Sequence, residues 1–157
     1  MVDFALLSKN WMTWSARAGM QDPVVSLDCD DCDAAFVTAD ESYHVRQDGD
    51  WWIVDRVNDR GKRYNNTAQL STFQLLEKYL IWTWASSARQ ELASGRLGAD
   101  LYALGYSPDV TVQQAREGFA EINSESGSAV LSVVKATIFS HLMLLPLDEL
   151  EQLIDGG

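Results

Sequence analysis

Two cysteines, two histidines and twelve basic residues are all that 157 residues hold of three functional chemistries, and each scarcity excludes something. Cys29 and Cys32 are too few for the bridged framework of a small secreted domain, which tends to use several pairs. They read as two unremarkable thiols of a reducing compartment. A zinc site needs four ligands in a tetrahedron, and no second cysteine pair completes one with Cys29-Asp30-Asp31-Cys32; His44 and His141 complete it only if the fold brings both there. A Ser-His-Asp relay would rest on His44, which lies in a strand-like run without a nearby nucleophile, or on His141, which lies in an apolar run where a core or capping role is commoner. No glycine loop cradles a phosphate, because Gly95-Arg96-Leu97-Gly98 lacks both the preceding strand and the Lys-Ser/Thr ending. Catalysis therefore has no support, and no cofactor is expected. Uncharged apolar stretches stay short of the roughly 18 residues of a membrane span, and Met1 to Leu7 carries neither a basic leader nor an apolar run of signal length. The expectation is a cytoplasmic protein with no membrane partner.

The shortage of base is the strongest of these features. Twelve Lys and Arg stand against 23 Asp and Glu, for a net charge of −11 and a pI near 4.4, which excludes a nucleic-acid binder that relies on neutralising phosphates. The bias is uneven: residues 1–50 hold 10 acids and 3 bases, residues 51–100 hold 5 and 7, and residues 101–157 hold 8 and 2. Acidity therefore belongs to the two ends, and within the first it concentrates in Asp28 to Asp33. Apolar residues, in contrast, make up 46% and aromatics 10%, ample for a packed core. One folded domain over residues 1–157 is expected, needing no metal or disulfide to stand.

Local patterns supply the elements. Ser8 or Asn10 can cap a first helix running to Arg17, with Gly19 as its stop. Val24 to Leu27 and Ala34 to Thr38 read as strands across the acidic turn. In Tyr43 to Val54 the pair Asp48-Gly49 suits a type I′ turn, which sets Gln47 opposite Asp50 and Arg46 opposite Trp51. Tyr43, Val45, Trp52 and Val54 then form a core face, and His44, Arg46, Trp51 and Ile53 the other. Arg63 to Ala68 adds a strand. Ser71 with Gln74 resembles a capping box opening a long helix to about Leu92, apolar around most of its circumference. An irregular connection through Gly98 and Gly105 follows, then strands at Asp109 to Gln113, Gly118 to Ile122 and Ala129 to Val133, and helices at Lys135 to Leu144 and Leu147 to Ile154. The order predicts an α+β fold, a largely antiparallel sheet packed on a long central helix with N- and C-terminal helices.

Several segments together carry a resemblance: Leu7-Ser8-Lys9-Asn10-Trp11 and Trp14 to Met20; Tyr43-His44-Val45-Arg46 with Gly49 to Val54 and Arg60-Gly61; Leu76 to Leu80; Gly105-Tyr106-Ser107; Ser140-His141-Leu142; and Leu147 to Leu150. In this order and spacing they resemble the tuberculosis necrotizing toxin antitoxin family, actinobacterial immunity-protein family sixty-one, over nearly the whole chain. The resemblance implies a non-enzymatic inhibitor that binds the C-terminal NAD glycohydrolase domain of a secreted toxin, one to one, and covers its NAD-binding cleft. One departure is the absence of a Gly-Leu-Pro after the long helix, where this chain has Ser94-Gly95-Arg96-Leu97-Gly98.

Three groups are candidates for contact with such a toxin. Lys9 is the only base in the first 16 residues, near a helix start where the dipole disfavours a cation by roughly 0.3–1 kcal/mol. With Ser8 and Asn10 it either projects into the cleft, where nicotinamide's positive charge would lie, or is a solvated lysine. His44, Arg46 and Trp51 form the second group, Trp and Arg being typical interface anchors, unless Trp51 packs beneath the long helix. The acidic loop, through Asp30 and Asp31, is the third, against a plain solvated loop. A competing reading makes the protein a small thiol redox or metal-binding protein acting through Cys29 and Cys32.

Overall fold

The computed structural model describes residues 2–155. Helix α1 (Ala5–Arg17) begins before Ser8: Phe4 holds the cap position without a side-chain bond, and Asp3 Oδ1 accepts from the Ala5 amide at 2.8 Å. Ser8 and Asn10 are thus interior and donate back to the carbonyls of Phe4 and Leu6, so neither is the cap. The acidic turn lies between β1 (Val24–Ser26) and β2 (Ala34–Val37). Then come β3 (Ser42–Asp48), β4 (Trp51–Val57) and β5 (Arg63–Leu70).

The hairpin between β3 and β4 forms, with its register two residues away from the expected one. Asp48 pairs with Trp51, Arg46 with Ile53 and Val45 with Val54, leaving Gly49 and Asp50 as the loop. Only Gly49 takes positive φ, +61°, as the first central residue of a type II′ turn does, whereas type I′ needs it at both positions. A shift of two keeps every side chain on its face, since strand side chains alternate with period two. Tyr43, Val45, Trp52 and Val54 are accordingly all buried.

Helix α2 (Phe73–Ala88) is capped by Thr72, whose Oγ1 accepts from Leu75 N at 3.1 Å. Ser71, the expected cap, instead accepts from Ser128 N at 2.7 Å and ties the helix start to the sheet. The apolar run to Leu92 is not one helix: Arg89 is extended (φ −128°, ψ 95°) and separates α2 from the short α3 (Gln90–Ala93). The connection taken as irregular contains another short helix, α4 (Ala99–Leu104). Strands β6 (Thr111–Arg116), β7 (Phe119–Ser124) and β8 (Gly127–Ser132) lead into α5 (Val133–Leu142) and α6 (Leu147–Asp155).

The eight strands among the described residues make one antiparallel sheet in the order β1-β2-β3-β4-β5-β8-β7-β6. Two meanders meet at a single seam, where Ala68, Gln69 and Leu70 of β5 face Leu131, Val130 and Ala129 of β8. Helices α1 and α2 pack on one face through Trp11, Phe36, Tyr43 and Trp84, whose rings lie 5.0–6.4 Å apart edge-on or tilted. Phe139 of α5 stacks on Trp82 of α2 at 5.9 Å and meets Tyr79 edge-on. Each such buried side chain contributes about 1.5–3 kcal/mol, so the helix layer is held by its aromatics. Among the described residues no helix is long and apolar enough to cross a membrane.

Candidate functional site

The opposite sheet face is polar, and its best-built feature is Asp55, which was not among the residues singled out by pattern. At 1% exposure its carboxylate accepts from Arg46 Nε at 3.0 Å, Arg63 Nη2 at 3.2 Å and the Asn66 amide at 2.8 Å. A bulge between Val54 and Arg56 makes this possible, with Asn66 at φ +55° turning its amide inward. Burial alone would raise the acid's pKa. The Asn66 amide and the two guanidinium groups outweigh it and hold the carboxyl below the ordinary carboxylate range.

Two of the three candidate groups converge on this hub. Arg46, besides Asp55, donates to Asn66 Oδ1 at 3.0 Å and lies 3.7 Å from Asp48, so its guanidinium is held by internal partners. Arg63 reaches Asp31 of the acidic loop at 3.7 Å. His44 shares a 2.9 Å hydrogen bond with Ser42 Oγ, and burial, with Arg63 close by, pulls its pKa below the ordinary imidazole value. Trp51 is half-buried at the other end of β4, on this same face. It is Trp52, on the core side, that packs against Phe73 of α2, at 5.3 Å. Asp30 and Asp31 are exposed.

Cys29 and Cys32 are joined by a disulfide, in place of the two free thiols expected. The pair closes a tight turn as an isolated bridge between β1 and β2, not at the N-terminus of a helix. No group of three or more His, Cys, Asp or Glu among the described residues is arranged to hold a metal ion.

Lys9 stands on the other side of the sheet, with Ser8 and Asn10 on α1. Because the helix starts at Ala5, Lys9 is in its second turn, beyond the reach of the dipole argument. Its distinction is different. It is exposed at a groove of about 210 Å³ between α1, α2 and α6, opposite Glu151 and Asp155, yet it forms no ion pair among the described residues. Asn10, by contrast, is committed, accepting from Trp14 Nε1 at 3.1 Å, and Ser8 is bonded to Phe4 O. The candidates therefore form two surfaces on opposite faces of the sheet, not one.

Among the described residues, an eight-stranded antiparallel sheet with helices on one face and a polar, ion-paired other face defines an α+β fold. The same fold is found in Rv3902c from M. tuberculosis, with a TM-score of 0.69 at 15% identity over 98% of this chain and 92% of that one. The family model of immunity protein 61 matches residues 14–155, and the chain belongs to that family. None of the curated proteins matches the chain.

Proposed function

We propose that this protein binds and inhibits the C-terminal NAD glycohydrolase domain of a secreted toxin, one to one in the cytoplasm, by covering its NAD-binding cleft and so protecting the producing cell. The observation that carries the reading is membership of an immunity-protein family across residues 14–155. The charge distribution supports it. A pocket for a dinucleotide offers cationic or amide donors to the pyrophosphate, and an inhibitor with net charge −11 is steered toward such a pocket. Lys9 is the residue assigned to the cleft, because it is exposed beside two carboxylates without an ion pair among the described residues, whereas Arg17, the other cation of this groove, lies over the Trp14 ring. Asp30 and Asp31, and Trp51 with His44 and Arg46, belong to a second face, where contact with the toxin depends on how far it wraps the sheet edge.

Co-expression with the toxin domain encoded beside it, followed by co-purification and an NAD-consumption assay, tests the reading. A stable, inactive one-to-one complex is expected, and failure to form any complex overturns it. Lys9→Glu is expected to weaken binding by more than about tenfold with the melting temperature unchanged. An unaltered affinity removes Lys9 from the interface.

A further inference from the structure

A cavity of about 390 Å³ lies on the helix side of the sheet, away from both surfaces described above. It opens between the C-terminal half of α2, the start of α5 and the connection at Leu97-Gly98, with the paired Tyr43 and Arg56 of β3 and β4 at its base. Its volume falls within the roughly 300–1,000 Å³ of ordinary small-molecule sites.

Three observations say what would fill it. The body of the cavity is apolar and aromatic, with Trp82, Leu97 and Ile138. Thr83 and Ser86, on α2, both line it, and both hydroxyl oxygens are buried without a hydrogen-bond partner. Helical hydroxyls elsewhere in this chain bond back to the preceding turn, as Ser15 and Thr137 do. Buried hydroxyls without partners are rare, and these two leave donors and acceptors unused at the cavity wall. Finally, cations are scarce after residue 100, where only Arg116 and Lys135 occur, yet Lys135 stands at this cavity, without an ion-pair partner among the described residues. Arg56 is held at the base by Glu41 at 2.7 Å, so the uncompensated positive charge is that of Lys135. A second cavity of about 390 Å³ shares Tyr43, Arg56 and Lys135 and extends the cationic edge along the sheet.

We propose that this cavity is a binding site for a small amphipathic anion, with its apolar ring system seated against Trp82 and Ile138, a polar ring substituent at Thr83 and Ser86, and its acid group at Lys135. The site stands independently of the toxin reading, since it shares no residue with Lys9 or with the Asp55 cluster.

Naphthoate, titrated into the purified full chain and followed by calorimetry and tryptophan fluorescence, is the test, with the uncharged naphthamide as its partner probe. Saturable one-to-one binding of naphthoate is expected, stronger than that of naphthamide by about tenfold. Lys135→Glu, at an exposed position, should abolish this preference while leaving naphthamide binding within about twofold. Ser86→Leu should fill the cavity and abolish binding of both probes; should that variant fail to fold by circular dichroism, Lys135→Glu decides alone. Absence of naphthoate binding, equal affinity for the two probes, or a Lys135→Glu variant that keeps the preference overturns the proposal.

Discussion

Replacing Asp55 tests whether the polar face is held by one buried acid. Asp55→Ala removes the acceptor of three hydrogen bonds and leaves the Arg46 and Arg63 side chains, which are 30% and 36% exposed, beside a cavity. Breaking a fully buried ion pair costs about 3–5 kcal/mol. Here both guanidinium groups reach water and recover part of their hydration, while the Asn66 amide does not. A cost of about 3 kcal/mol follows. For a chain of this length that lowers the melting temperature by roughly 6–12 °C. With a urea m-value of about 2 kcal/mol/M, the midpoint falls by about 1.5 M. The six tryptophans report the transition directly. Asp55→Asn, which keeps an oxygen for the Asn66 amide but loses the charge, should cost roughly half as much. Because the native carboxyl titrates below its ordinary value of 3.8, the wild-type advantage over Asp55→Asn is fully present above that value and fades as pH falls below it. A midpoint for Asp55→Ala within about 0.25 M of wild type would refute the argument that this acid organises the face.

Other perturbations follow from single features. The ring proton of His44, assigned by its loss in His44→Gln, should titrate below 6.5, and wild type should lose stability relative to that variant as pH falls below 6.5, since the unfolded chain takes up the proton first. Cys29→Ser should lower stability by about 2 kcal/mol, the chain entropy of so short a ring, and thiol titration of the unreduced protein should find no free thiol. Gly127→Ala should cost about 1–3 kcal/mol in urea unfolding: φ is +127° and an added Cβ would lie 2.6 Å from Ser71 Oγ and 3.0 Å from Leu75 Cδ1.

Elements governed by short-range chemistry were legible in the amino-acid sequence. The alternation through Tyr43 to Val54 fixed which side chains face the core even though the turn residue was misassigned, because an error of two preserves the face. The apolar stripe of α2 was equally plain. Helix boundaries were not: Ser8 and Asn10 carry good capping oxygens, but α1 begins at Ala5, after Phe4 at the cap position, because Leu7 and Trp11, one turn apart, both have to be buried. Arg89 breaks the apolar run after Ala88, where its guanidinium binds Glu91 at 2.7 Å and the carbonyl of Ile154 on α6, contacts that no local pattern reveals. Asp55 could have been suspected from one signal, an acid sharing a strand face with Trp51 and Ile53. Its partners Arg63 and Asn66 come from the next strand, across a bulge. Lys9 stands out in the sequence for scarcity of base, but its setting depends on α6, more than 130 positions away in the chain.

The seam between β5 and β8 has a consequence in time. Every other strand pairing joins neighbours along the chain, so each meander can zip from its own turns within microseconds. The seam has only three residue pairs, and closing it requires α2, α3, α4 and two strands to be laid down in between. Loop closure of that length is the entropic barrier of the topology, and it precedes the reward of joining the halves. The topology therefore places the slowest contact of folding at this seam, across a connection of three helices and two strands. The two faces of the sheet are complete only once β5 and β8 have paired.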